Sequence, residues 1–393
     1  MIQSFSFSLL KFIIYTSYKE LPESWNIIAH HDLMLNTSYL KALELSSPNN
    51  ITLYYIGVFN SAELVGIAVI ERVQLYLKDM FRKNNSSVLK TFFKNVISTV
   101  LKGNILVIGN LTHTGQHGIY FNDNKISPED YLGTLLKAVD TLKEEIKVEA
   151  GKTIRAILFK DYFFNDRIHK AVEAFKIEKY NKVTVQPNMI MNIEPQWNTI
   201  NDYVKSLNKK YRARYVRARK KLRNIEKREL DIDIIKKDSK PLHSLYSNVS
   251  NNAKINTFFL PEHHFYCFKK ELLNNFKVFG YYYQGNLIGF YTLILNNAVL
   301  ETYFLGYDSK YQYQNQLYLN MLYDMLGFAI ENKFGSVVYA RTAMEIKSSV
   351  GAKAIPMTMY IKHTNKFANA ILKGIFNFMK PNQKSEERHP FKS

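Results

Sequence analysis

Apolar and polar positions along this chain change period in an order that occurs twice. In the first half, the runs ITLYYIGVF from Ile51 and LVGIAVIERVQLY from Leu64 flank a short polar turn at Asn60 to Glu63, which predicts an antiparallel hairpin. A strand over Phe5 to Tyr15 and helical patterns over Glu20 to Ile28 and Ser38 to Leu45 precede it. A basic, mostly helical insertion from Lys78 to Lys102 follows, and then GNILVIG runs as a strand into a Gly-rich turn at Gly109 to Gly118. Helical periodicity occupies Ser127 to Glu149, opened by Ser127-Pro128-Glu129-Asp130, an N-cap with proline at the first helical position and acids in the first turn. A strand from Thr153, a short helix near Arg167 to Phe175 and an extended segment to Ile193 complete this half.

The same order restarts after Trp197. LDIDIIKK from Leu230 reads as a strand, Leu242 to Asn252 and Pro261 to Asn274 as helices, and FKVFGYYYQGNLIGFYTLIL as a hairpin turning at Gln284-Gly285-Asn286. A strand from Ala298, a long helix from Gln314 to Asn332, a strand from Gly335, a short helix TAMEIKSSVG and a closing strand from Ile355 follow. Two copies of one topology are the simplest account, and the fold class is α/β, an α+β arrangement of helices on mixed sheets. The expected boundaries are an N-terminal domain over 1–195, a basic linker helix over 196–228, a C-terminal domain over 229–365, and an amphipathic helix with a disordered tail over 366–393. Phe367, Ile371, Ile375 and Phe378 form that last helix's apolar stripe, suited to docking on the second domain or lying on a membrane surface.

Charge singles out one stretch. Lys209 to Arg228 carries eleven Lys or Arg and one acid, a net +10 within a chain of formal charge +19. Leu207, Tyr211, Tyr215, Ala218, Leu222 and Ile225 recur on one helical stripe, which predicts a docked helix with a cationic outer face. A solvated basic helix, a phosphate-bearing ligand and an acidic membrane surface all fit that face. The single cysteine, Cys267, excludes an internal disulfide and fits a reducing compartment. No apolar run reaches the roughly 18 to 20 residues of a spanning helix. The expected location is therefore cytoplasmic, with peripheral contact to the inner membrane as an option.

Particular residues carry a family resemblance. Ser206, Lys209, Lys210 and Arg212 resemble the Ser-x-x-Lys-x-Arg segment that precedes the second domain of the FemAB-like acyltransferases, with one residue more between Lys209 and Arg212. Ile346-Lys347-Ser348-Ser349-Val350-Gly351 looks like their lysine-before-glycine motif, and FKDY at Phe159 to Tyr162 and GNLTHTG at Gly109 to Gly115 look like further stretches of the group. The resemblance implies two tandem GNAT-like domains. It implies an N-acyltransferase or aminoacyltransferase that moves an acyl or aminoacyl group onto an amine of a phosphate-bearing cell-envelope precursor. The donor would be acyl-CoA or aminoacyl-tRNA, with no tightly bound cofactor and no metal. One departure bears on the donor. GYDSKYQYQNQLY, where a GNAT domain places its glycine-rich pyrophosphate loop, lacks those glycines.

Acyl transfer to an amine needs a proton acceptor and stabilisation of an oxyanion. The resemblance gives Lys347 the second role or that of a phosphate contact; Arg341, six residues earlier, is a candidate to share the anion, and Glu345 either orients one of these cations or makes a plain surface pair. Asp161 and Lys160, at the end of the Thr153 strand, are candidates for base or amine anchor, against a plain turn-forming aspartate. Lys209, Lys210 and Arg212 are candidate phosphate contacts, and Glu301 and Tyr303, on one face of a strand, can line a cleft or merely pack across it. His113 and His117 lie around Gly115, which disfavours a helical metal site. The rival reading is a non-catalytic nucleic-acid- or membrane-binding protein using the basic helix. Against nucleic acid, Tyr211 and Tyr215 fall on the apolar stripe and not among the charges.

Overall fold

The computed structural model describes residues 10–75, 102–252, 256–378 and 386–392. Residues 78–101 of the expected Lys78 to Lys102 insertion, the start of the first strand and the stretch 379–385 lie outside the described residues. Thirteen strands follow in chain order: β1 (Leu10–Tyr15), β2 (Ile51–Asn60), β3 (Glu63–Leu75), β4 (Gly103–Ile108), β5 (Ile119–Phe121), β6 (Ile154–Phe163), β7 (Asn181–Asn192), β8 (Glu226–Glu229), β9 (Phe276–Tyr283), β10 (Asn286–Asn296), β11 (Val299–Tyr307), β12 (Ser336–Val338) and β13 (Lys353–His363). The chain divides into two compact units. One comprises Met1–Glu44, Asn49–Val185 and Met357–Lys380, and the other Leu45–Pro48, Gln186–Pro356 and Pro381–Ser393.

In the first unit the strand order is β1-β2-β3-β4-β6, with β5 beside β3 and the Met357–His363 part of β13 antiparallel to β6. The helix Pro128–Ala150 covers this sheet. It starts where Ser127 accepts from the Asp130 amide and ends at Gly151 in the left-handed region. Its inward face buries Tyr131, Leu132, Leu135, Val139, Leu142 and Ile146 at three- and four-residue spacing. Each such aliphatic side chain contributes about 1.5–3 kcal/mol by leaving water. Tyr131 donates its hydroxyl to the Ile67 carbonyl at 2.7 Å, and a Cβ at Gly66 would stand 2.4 Å from its ring. Only glycine admits that tyrosine.

The second unit repeats the pattern as β8-β9-β10-β11-β12, with the end of β7 antiparallel to β12. The parallel pair β11 and β12 corresponds to β4 and β6. Each unit is thus closed by a strand from the other half of the sequence. The expected boundaries at 195 and 229–365 therefore give way to a division in which Met357–His363 completes the first unit's sheet. The long helix Leu317–Glu331 is the second unit's central packing element, almost wholly buried on Tyr281, Tyr291, Leu293 and Val337.

Two sequence expectations change. LDIDIIKK forms the helix Ile232–Lys237 because the Asp231 carboxylate caps the Ile234 amide at 2.8 Å, and the strand falls one stretch earlier, in β8. The basic helix covers only Lys209–Lys220; beyond it, Leu222 and Ile225 turn onto the core and β8 pairs with β9. Its predicted stripe is buried at Tyr211 and Ala218 and half-buried at Tyr215, within the second unit.

The C-terminal segments also depart from expectation. Lys366–Phe378 is a helix of the first unit, held by Leu372 against Val183 and Ile361, while Phe367 and Ile371 face outward. Residues 386–392, expected to be disordered, are fixed to the second unit. The Asn208 amide donates to the Pro390 carbonyl at 2.9 Å, and the Phe391 ring packs on Trp197 and Tyr203.

Candidate functional site

In the first unit, the chain leaves β4 through Gly109, whose φ of 142° belongs to glycine, and returns at Gly118. The Gly109 amide donates to the Val69 carbonyl at 3.0 Å and the Val69 amide to the Gly118 carbonyl at 2.7 Å. A Cβ at Gly118 would lie 2.3 Å from the Gly109 Cα, so two glycines let the loop pinch shut on β3. Two residues along that strand is Glu71, fully buried, whose Oε2 accepts from the Leu111 amide at 2.9 Å. Its Oε1 is buried with no hydrogen-bond partner among the described residues. Burial pushes the Glu71 carboxyl up to about 7, against the opposing pull of the Leu111 amide and the Lys160 charge.

Lys160 and Asp161 reach the same loop through a bulge. Thr358 pairs with Tyr162 and Tyr360 with Phe159, so two residues of β6 oppose one of β13, and Asp161 takes a φ of 65°. The Lys160 ammonium pairs with the Asp161 carboxylate and donates to the His113 carbonyl at 2.6 Å. The Gly115 amide donates to Asp161 at 3.4 Å. FKDY and GNLTHTG, separate in sequence, thus meet in one buried polar cluster. His117 pairs with Asp32 at 2.7 Å. Burial works to raise the Asp32 carboxyl, but the charge and hydrogen bond of His117 outweigh it and hold Asp32 below its usual range.

In the second unit the basic helix begins at Asn208, whose side chain accepts from the Tyr211 amide. Tyr211 and Tyr215 turn one face inward, and Lys210, Arg214 and Arg217 form the adjacent row at i, i+4 and i+7. That row, with Tyr211, Glu345 and Arg388, lines a pocket of about 190 Å³. Lys209 and Arg212 lie outside it, on the outer face with Val216. Arg212 donates to the Leu207 carbonyl at 2.9 Å and the Lys205 carbonyl at 3.2 Å, tying down the preceding turn. Later cations are also engaged: Arg219 and Lys227 pair with the buried Asp324 at 2.7 and 3.2 Å, and Arg228 stacks on the Tyr282 ring.

Lys347 is buried beside this pocket's Glu345, on the short helix Met344–Ser348. Its ammonium donates to the Ala340 carbonyl at 3.1 Å and to the Arg341 carbonyl. Ala340, Thr342 and Ala343 all have positive φ, 60°, 67° and 46°, a strained turn that the lysine holds from inside. Burial pushes Lys347 down to about 7. Glu301 is buried in β11, where it faces Ile294 and Val338 in register. The Tyr303 hydroxyl is bonded to the Nε2 of buried His264 at 3.0 Å, and His264 Nδ1 reaches the Ser46 hydroxyl at 3.0 Å. Burial pushes His264 down to about 3, so it stays neutral.

Sequence reasoning missed Glu71, Arg217 and Arg388. Glu71 is signalled by an ionisable residue inside an otherwise apolar strand, and Arg217 by its helical spacing from Lys210. For Arg388 the sequence carries no signal.

No protein-family model matches this chain, and no curated protein matches its sequence. Among solved structures, it is similar to FemX, at 11% identity and a TM-score of 0.54 over 92% of this chain and 100% of that one. It is also similar to a tandem GNAT protein from the clavulanic acid biosynthesis pathway, at 8% identity and a TM-score of 0.51 over 91% and 99%. The fold is that of these tandem GNAT structures. Among the described residues, no helix is long and apolar enough to cross a membrane.

Proposed function

We propose that the protein transfers an acyl or aminoacyl group to an amine of a phosphate-bearing acceptor, a cell-envelope precursor being the fitting class. The observation that carries this reading is the row Lys210, Arg214 and Arg217 converging on one pocket of the second unit. Several cations on one wall bind a phosphate far better than scattered ones. Lys347 supports this site by fixing the strained turn that carries Arg341. In the first unit, the raised carboxyl of Glu71 is the group best suited to accept a proton. Asp161, paired with Lys160, orients that lysine, and the buried Glu301 and the half-buried Tyr303 keep β11 in place.

For the donor, an acyl group carried by transfer RNA fits better than coenzyme A. The Tyr318 amide, at the start of the long helix where a GNAT pyrophosphate would be cradled, is already bonded to the Gln312 side chain at 2.8 Å. A non-catalytic nucleic-acid-binding role is less favoured, because Tyr211 is buried and Tyr215 packs edge-on against Tyr323 at 4.8 Å, leaving neither as a stacking platform.

The test is transfer of a labelled acyl group from acyl-CoA or aminoacyl-tRNA to amine acceptors with and without a phosphate. The expected result is a phosphate-dependent product that falls at least tenfold in the Arg214→Ala, Arg217→Ala double variant. Product formation that ignores both the phosphate and these arginines would sink the reading.

A further inference from the structure

The C-terminal segment reaches the same pocket from the turn that precedes the basic helix. Phe391 forms a bridge with Leu207 and packs on Trp197 and Tyr203, and the Lys392 amide donates to the Ser206 carbonyl at 3.1 Å. Asn208, the residue that caps the basic helix, donates its own amide to Pro390. The Phe391 ring also lies over Gly351, where a Cβ would stand 2.5 Å from it. Upstream, the Arg388 amide donates to the Ser348 hydroxyl at 3.1 Å, so the segment is pinned on both sides of the pocket wall. Between these anchors, the Arg388 guanidinium enters the pocket and pairs with Glu345 through one nitrogen and Glu386 through the other.

Among the described residues, Glu345 is the one acid lining that pocket, together with Lys210, Arg214, Arg217 and Arg388. Its carboxylate is more than half exposed, and exposed ion pairs are worth little. A phosphate presents the same pair of anionic oxygens with greater charge, and a guanidinium fork accepts either.

We propose that Arg388 is a phosphate-binding residue and that Glu345 is a built-in stand-in for the ligand: the incoming phosphate displaces the Glu345 carboxylate from Arg388 and is held by Arg388 together with the Lys210, Arg214 and Arg217 row. The inference rests on the anion-site reading above. Its ligand chemistry is a phosphate ester or diphosphate, from a soluble precursor or a lipid headgroup. The C-terminal segment is thereby part of the binding site, and the carboxylate sets a threshold that weak anions such as chloride or acetate do not pass.

Calorimetric titration of the full chain with inorganic pyrophosphate, and sedimentation with phosphatidylglycerol-containing vesicles in parallel, test this without any turnover. Arg388→Gln weakens binding about tenfold or more, and Arg388→Lys recovers part of the loss. Phe391→Ala, which unpins the segment without touching the pocket, weakens binding to a similar extent. Glu345→Gln tightens binding severalfold, an effect that a purely structural ion pair does not produce. Pyrophosphate binding alone assigns the phosphate to a soluble ester, and vesicle binding lost in Arg388→Gln assigns it to a headgroup. Arg388→Gln and Phe391→Ala proteins that bind like the parent, or a Glu345→Gln protein that binds more weakly, overturn the role of the segment. A parent protein that binds neither probe overturns the anion site itself.

Discussion

The loop beneath β3 in the first unit and the basic helix in the second gather charge in opposite ways. Glu71, Lys160 and Asp161 are almost wholly buried; desolvation raises the Glu71 carboxyl, the Lys160 charge pulls it back, and Lys160 pairs with Asp161. Lys210, Arg214, Arg217 and Arg388 stand at the surface, where water screens each pair and only their convergence matters. Buried charge of the first kind is costly and holds a proton in place. Exposed charge of the second kind costs the fold almost nothing and is free to meet a ligand. For the proposed transfer reaction, buried charge would suit proton transfer and exposed charge would suit holding an anion.

The contrast is broken most directly at Lys160. Lys160→Ala strands the buried Asp161 carboxylate, and losing one partner of such a pair costs about 3–5 kcal/mol. Chemical denaturation followed by circular dichroism reads this as a large fall in midpoint. A loss below ~1 kcal/mol would show that water reaches the bulge, and the cluster would then be no more buried than the pocket.

The next effect is smaller and depends on pH. The Glu71 carboxyl titrates at about 7 in the folded protein, above its ordinary value near 4.5. The native state therefore holds this proton where the unfolded chain has released it. Its contribution to stability is full below about pH 4.5 and is lost as pH rises through about 7. Glu71→Gln is neutral throughout and keeps an acceptor for the Leu111 amide. It should match the parent at pH 4 and exceed it by a few kcal/mol, on the order of two pKa units, at pH 8. Parallel stability curves would remove Glu71 as the poised base. In transfer assays the same variant loses the rise in rate expected as Glu71 ionises.

Much of this contrast was legible in the sequence, for reasons that particular residues make plain. The hairpins turned at Asn60 to Glu63 and Gln284 to Asn286 because polar turn residues between apolar runs leave few alternatives. The burial of Tyr211 and Ala218 followed from helical spacing alone. The exchange of closing strands was not legible, because IPMTMYIKH is apolar enough to pair equally well with either sheet, and only its tertiary partner β6 decides. LDIDIIKK alternates like a strand, yet one aspartate cap made it helical. In the sites, FKDY and GNLTHTG were visible as phrases, but the bulge that turns Lys160 and Asp161 onto the loop depends on register, which no local pattern encodes. Arg388 reaches the pocket only because Phe391 and Pro390 are anchored far from it in sequence.

The smallest expected effect on folding completes the comparison. Arg217→Ala removes an exposed cation from a helix already held by Tyr211 and Ala218, and alanine favours helix at least as well as arginine. Stability should change by less than about 0.5 kcal/mol. Anion binding should nevertheless weaken several-fold at low salt, with the difference from the parent shrinking as salt is added, since the lost attraction is screened. A calorimetric titration at two ionic strengths separates the two quantities. If Arg217→Ala instead unfolded the protein while leaving anion binding intact, the basic row would be a structural brace, and the division between buried and exposed charge would fail at the place where it is most specific.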